Sequence, residues 1–165
     1  MDLWLLRHAA AHDRAKSGRD EDRALTSDGA RRAREVAAGL AALDPGIEAV
    51  LSSRYRRALE TAEAAARALR VGRVKPTPAL EPDHAPADVV AVLAGGKQRA
   101  LLLVGHQPLL GALVGLLVFG DERREIPLRK AGLAHIVWEP RGVGRLEALF
   151  PPKVLSSLGL PEADG

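Results

Sequence analysis

The chain has no cysteine, and its aromatic residues other than histidine are two Trp, two Phe and one Tyr. Without cysteine there is no disulfide framework, no thiol chemistry and no Cys-ligated zinc, and the absence is compatible with any compartment. So few aromatics leave the core to Ala, Leu and Val, and leave no platform on which nucleic-acid bases could stack. Charge of one sign is also missing: 24 Lys and Arg stand against 21 Asp and Glu, a net +3 spread along the chain. That excess suits an anionic ligand but names no partner. No targeting segment is apparent, because Met1 to Leu6 is too short for a signal sequence and carries Asp2 where a basic flank would be expected. A cytoplasmic protein is expected. The long apolar stretch from Ala100 to Gly120 is broken by Gly105-His106-Gln107-Pro108, which suits a strand, a turn and a helix better than a membrane span.

What is present fits one folded domain over residues 1–165, with 47% hydrophobic and 27% charged residues. Leu3 to Leu6 is a short apolar run ending abruptly in charge, the pattern of a strand buried on both faces. Ala9 to Ala24 is polar and rich in Asp and Arg, and Thr26-Ser27-Asp28-Gly29 supplies capping chemistry for a helix over Ala30 to Leu43. A strand at Ala49 to Leu51, a turn and cap at Ser52-Ser53, and an alanine-rich helix from Arg57 to Leu69 follow. Val74 to Pro78 reads as an edge element, Ala87 to Leu93 as a short helix, Ala100 to Val104 as the most apolar strand and Leu109 to Phe119 as a helix. This alternation predicts an α/β fold of three layers, α/β/α, with a mostly parallel central sheet. Leu133 to Trp138 and Gly144 to Leu149 flank Pro140-Arg141-Gly142-Val143 and predict a terminal antiparallel hairpin. The segment from Pro151 to Gly165 is expected to wrap the surface or fray.

Three strand-to-helix junctions carry polar residues to one sheet edge: Arg7-His8, Ser53 to Arg57, and Gly105-His106. Ligands of open α/β sheets bind at the carboxyl ends of the strands. Two Arg and two His at that edge suit a phosphoryl group, since guanidinium forks grip phosphate oxygens and helix N-termini add backbone donors. A neutral imidazole supplies a nucleophile, and nearby Arg charges disfavour its protonated form.

Leu5-Leu6-Arg7-His8-Ala9 resembles the Arg-His signature of the histidine phosphatase superfamily, whose fold is that of phosphoglycerate mutase. Further matches follow in order: Arg23-Ala24-Leu25-Thr26-Ser27-Asp28-Gly29 resembles the Arg-x-Leu-Thr-x-x-Gly segment, Ser52 through Arg57-Ala58-Leu59-Glu60-Thr61 the Ser-x-x-x-x-Arg-Ala-x-x-Thr segment, and Val104-Gly105-His106 the second-histidine motif. The short length, with no large insertion between Glu81 and Leu101, is similar to the compact SixA-type branch of phosphohistidine phosphatases. The resemblance implies that His8 is the nucleophile, that Arg7, Arg57 and His106 hold the phosphate, and that no metal or cofactor takes part. Arg57 is preferred to Arg56 because it directly precedes Ala58. Glu81 stands where larger relatives place a general acid, with Asp83 as the alternative; phosphohistidine would need that acid less, since imidazole leaves more readily than an alkoxide.

Two departures bear on the substrate. Ala9-Ala10-Ala11-His12-Asp13 lacks the Gly, Thr and Asn that many members carry after the histidine, and Arg54 replaces a Pro. The implied activity is dephosphorylation of phosphohistidine on a signalling protein by a monomer with an open groove. The alternatives are the same chemistry on a small phosphate ester, or a non-catalytic phosphoprotein-binding module. Partners of the nucleic-acid or membrane class are not expected. His12 has helical metal-ligand spacing to His8 but follows a strand, so a metal pair is not expected, and His84 and His135 read as residues without chemistry. Thr26 and Asp28 read as helix caps, Arg54 and Arg56 as a solvated basic face, and Arg23 as either structural or reaching the pocket.

Overall fold

The computed structural model describes residues 1–140 and 142–159. Among these residues six strands, β1 (Asp2–Arg7), β2 (Ala49–Ser52), β3 (Lys75–Pro76), β4 (Ala100–Gly105), β5 (Leu133–Val137) and β6 (Arg145–Phe150), form one sheet in the order β3-β2-β4-β1-β5-β6. The first four are parallel, β5 runs antiparallel to β1, and β6 antiparallel to β5. This is the mostly parallel sheet with a closing hairpin that the patterning predicts. Arg141, in the connection between the hairpin strands, lies outside the described residues.

Among the described residues five helices cover the sheet: α1 (Ser27–Ala42), α2 (Arg56–Leu69), α3 (Pro86–Ala94), α4 (Leu109–Phe119) and α5 (Pro152–Leu158). Two single turns of 3-10 helix, Asp20–Asp22 and Pro78–Leu80, lie in the connections. Because strand side chains alternate between faces, β1 and β4 divide their apolar residues between two cores. Trp4, Leu6, Leu102 and Val104 pack with Val36, Leu40 and Ala62 on one side. Leu3, Leu5, Leu101 and Leu103 pack with Leu110, Leu113 and Val89 on the other. Continuous leucine runs are required here because neither face of these central strands meets water.

The tail differs from its expectation. Pro152–Leu158 is helical, Leu155 is fully buried, and Arg32 Nη1 donates to Ser156 Oγ at 3.0 Å. The approach is close because position 39 is glycine: a Cβ there would lie 1.7 Å from the Leu155 carbonyl oxygen. A small residue on α1 that admits a later backbone leaves no signal in local patterning. Residues 160–165 lie outside the described residues.

Thr26 caps α1 as expected, its Oγ1 accepting from Gly29 N at 3.0 Å. Gly29 in turn lets the helix start press on β1's exit, since a Cβ would fall 1.9 Å from the Ala10 carbonyl oxygen. Among the described residues no helix is long and apolar enough to cross a membrane.

Candidate active site

The central strands β2, β4 and β1 end side by side, and one further hydrogen bond on either side of β4 continues the ladder past their ends. His8 N donates to Gly105 O at 3.0 Å and Ser53 N to Val104 O at 3.0 Å. Parallel register therefore delivers His8, His106 and Ser53 to one place. Their ring and hydroxyl contacts show the convergence: the His8 and His106 centroids are 5.0 Å apart, and His106 Nε2 lies 2.9 Å from Ser53 Oγ. The Tyr55 ring stands edge-on to His106 at 5.2 Å.

His8 is buried, and its Nδ1 lies 2.7 Å from the Ala9 carbonyl oxygen. A carbonyl only accepts, so Nδ1 carries the proton and Nε2 keeps a free lone pair. Burial pushes the imidazole down to about 4, and the charges of Arg57, Arg7 and Lys130 act the same way against the opposing Ala9 bond. His106 is pushed down to about 3, by burial first and then by His8 and Arg57. Both rings are thus neutral near pH 7, as a nitrogen nucleophile requires.

The two arginines are held differently. Arg7 Nη1 donates to the Leu128 carbonyl at 2.8 Å, while its buried Nε has no partner. The loop from Leu128 to Gly132 is fastened to β1's end, with Ala131 N donating to the Arg7 and His8 carbonyls at 3.1 and 3.2 Å. Ala131 adopts φ +58° in doing so, a left-handed conformation that costs a non-glycine residue about 1–2 kcal/mol. Its neighbour Lys130 brings a further positive charge to His8. Nothing in local spacing marks this loop, which follows α4 and reaches the site only because β5 pairs with β1.

Arg57 sits in the first turn of α2, buried, with its Cζ 4.9 Å from the Tyr55 ring centroid. The positive end of a helix disfavours a cation there, and the anion that compensates it is Asp20. Arg57 Nη1 donates to the Asp20 backbone carbonyl at 2.8 Å and Nη2 to Asp20 Oδ2 at 2.9 Å. Arg23 also serves this turn, donating from Nη1 to Asp20 Oδ1 at 2.7 Å. Asp20 had only the composition of its segment to mark it. The groove expected to be open is therefore covered over Arg57 by the segment between β1 and α1.

Thr61 joins the two halves: its Oγ1 donates to the Arg57 carbonyl at 2.7 Å and accepts from Ala9 N at 3.1 Å. The spacing of Arg57 to Thr61 in the sequence thus has a physical basis, one helical turn that ties α2 to the chain beyond His8. Ser53 does not accept the helix-capping bond of α2. Its Oγ accepts from Tyr55 N at 3.2 Å and faces His106.

Glu81 follows the turn Pro78–Leu80 and is paired with Arg54, and Asp83 is exposed beyond it. Neither hydrogen bonds to His8, His106, Arg7 or Arg57. Arg56 is paired with Glu60 at 2.8 Å. His84 pairs with Asp88, and His135 stacks on Trp4 at 3.8 Å with its Nε2 2.8 Å from Asp2 Oδ1. His12 lines a separate groove of about 610 Å³ with Arg14, Lys16, Asp22 and Arg56. Among the described residues no group of three or more His, Asp or Glu is placed to hold a metal ion.

Comparison with known proteins assigns the family. The model of the histidine phosphatase superfamily (branch 1) matches residues 3–81, and an uncharacterized protein of a Picosynechococcus strain is 34% identical over 90% of both chains. The protein histidine phosphatase SixA, solved in complex with tungstate, superposes with a TM-score of 0.83 at 27% identity, over 93% of this chain and 98% of that one. The chain belongs to the histidine phosphatase superfamily. Within the superfamily it is SixA-like: a protein from Agrobacterium tumefaciens assigned as a phosphohistidine phosphatase SixA matches at a TM-score of 0.75 and 26% identity, over 92% and 97% of the two chains. The phosphoserine phosphatase of Entamoeba histolytica shares the fold at a TM-score of 0.70 and 15% identity, over 93% and 98%. The α/β architecture is therefore phosphoglycerate mutase-like, and the chain is a phosphatase by family.

Proposed function

We propose that the protein is a metal-independent phosphohistidine phosphatase acting on a phosphorylated signalling protein. The observation that carries the reading is the state of His8: Nδ1 is committed to the Ala9 carbonyl, and burial with three nearby cations keeps the ring neutral. His8 Nε2 attacks phosphorus, the P–N bond of the substrate breaks, and the departing imidazole takes up a proton. Water then attacks phosphorylated His8, the second P–N bond breaks, and inorganic phosphate leaves with the imidazole restored. Arg7, Arg57 and His106 hold the phosphoryl oxygens as charge moves between nucleophile and leaving group. Support for an oxyanion seat comes from the SixA relative that holds tungstate, a tetrahedral oxyanion.

The substrate follows from the leaving group. Glu81, at the chain position where larger relatives place a general acid, is engaged by Arg54 and so already has a basic partner. An imidazole depends less on such an acid. The groove lined by Arg14, Lys16 and Arg56, the last of them next to Arg57 in the chain, also offers room for a protein surface. The test is hydrolysis of phosphoramidate, a phosphohistidine protein and a panel of sugar phosphates, with chelator present. Preference for the first two is expected. Turnover that survives His8→Ala, or that chelator abolishes, refutes the mechanism; preference for sugar phosphates refutes only the substrate.

A further inference from the structure

The three acids of the turn Asp20–Asp22 have different partners. Asp22 accepts from Ser17 Oγ and the Arg19 guanidinium, and Glu21 lies 3.5 Å from Arg19. Asp20 turns the other way, onto the buried Arg57, although its own side chain is 52% exposed. The cation is therefore the fixed member of the pair and the carboxylate the movable one. Bonds from Arg23 first, and from Arg57, hold the Asp20 carboxyl below the usual carboxylate range, so it is charged at neutral pH. Its charge reaches the reactive centre, where it opposes the depression of His106.

We propose that Asp20 is a specificity-determining residue, an internal anion that occupies Arg57 until a phosphoryl dianion displaces it. The proposal rests on the phosphatase reading and adds to it a selection by charge. A singly charged anion, such as a carboxylate or a phosphodiester, would replace one charge at Arg57 with another. It would also lose its freedom in solution, whereas Asp20 is tethered and already present at high effective concentration. A phosphoryl dianion carries a second charge that Arg7 and the field of Lys130 reward, so it displaces the carboxylate where a monoanion does not. Asp20 is not stranded by the exchange, because Oδ1 keeps its 2.7 Å bond from Arg23. Nor does Arg57 lose its aim, because Nη1 remains bonded to the Asp20 backbone carbonyl, which no side-chain substitution removes.

The test compares the full chain with Asp20→Asn, using Asp22→Asn as a control in the same turn. Inorganic phosphate and dimethyl phosphate are the probes, read both as inhibitors of phosphoramidate hydrolysis and by calorimetric binding. In Asp20→Asn, dimethyl phosphate is expected to bind about tenfold tighter and phosphate about threefold tighter, so that discrimination narrows. Asp22→Asn should match the parent. Asp20→Ser gives the same readout if the Asn variant melts below the assay temperature. Weaker or unchanged binding of both probes in the Asp20 variants overturns the proposal, since Asp20 would then only position Arg57. An equal change in Asp22→Asn overturns it too, by showing a general charge effect. If the parent hydrolyses neither phosphoramidate nor phosphohistidine, the functional reading falls, while the calorimetric comparison still decides the role of Asp20.

Discussion

Arg7 and Arg57 are both cations of the candidate site, yet one is anchored by a neutral carbonyl and the other by a carboxylate. Leu128 O leaves the charge of Arg7 uncompensated, and burial lowers that guanidinium's pKa. Asp20 balances Arg57. The difference shows how a buried site can hold several positive groups without an anion bound: one half bears an exposed electrostatic cost, and the other carries an internal counter-charge that a ligand can replace. His8 lies with the first half, Thr61 ties the second half to it, and each connection can be tested separately.

The largest effect should come from removing what both halves serve. His8→Ala is expected to lower phosphoramidate turnover by about 10⁴-fold or more, because the other neutral imidazole, His106, has its Nε2 engaged with Ser53 Oγ. An acid-labile phosphoenzyme should disappear with it in a radiolabelled quench, and its persistence would reassign the nucleophile.

The comparison itself predicts an asymmetry between the arginines. Arg7→Lys should reduce kcat/KM by about 10²- to 10³-fold, as a planar fork aimed at the transferring group is lost. Arg57→Lys should cost about tenfold, since weakening that fork also frees the position from the Asp20 carboxylate. Equal losses, or a larger one at position 57, would break the distinction between the two anchors.

Cutting the tie should act on stability more than on chemistry. Thr61→Val leaves the buried Ala9 N–H without its acceptor, at a cost of about 1–3 kcal/mol in denaturant unfolding. A change confined to kcat, with stability intact, would mean that Thr61 touches substrate instead of joining the halves.

A last effect is in pH. His8 and His106 lie at about 4 and about 3, below the ordinary 6.5, so the unfolded chain binds more protons than the folded one across that window. Their contribution to stability is present above about 6.5 and is lost as pH falls toward those values. The melting temperature should drop on acidification from pH 6.5 to 4, and less steeply in His8→Gln. Identical slopes in parent and variant would show that His8 is not held neutral by the fold.

The pattern of elements was legible because each parallel strand is a short apolar run that ends in charge, as Leu3 to Leu6 does before Arg7. His8, His106, Arg57 and Thr61 were legible because each stands at a junction that sequence spacing marks. Asp20 and Lys130 were not recognised as parts of the site, and Ser53 was carried to its edge without a role. Asp20 lies in a polar segment where several acids look alike, Ser53 reads as an ordinary cap, and Lys130 belongs to a loop brought in by strand pairing 120 or so residues after His8. The helix at Pro152–Leu158 was missed for a related reason, since Gly39 and Leu155 are informative only as a pair.

By itself, then, the sequence determined the α/β alternation and the placing of the Arg7-His8 motif at the end of the first strand, because hydrophobic period and local motif are properties of neighbours along the chain. Only the tertiary structure decided how each cation is balanced, which nitrogen of His8 is free, and which acid faces Arg57. Those depend on distances between residues far apart in sequence, and electrostatic energy is set by distance and burial, not by order along the chain.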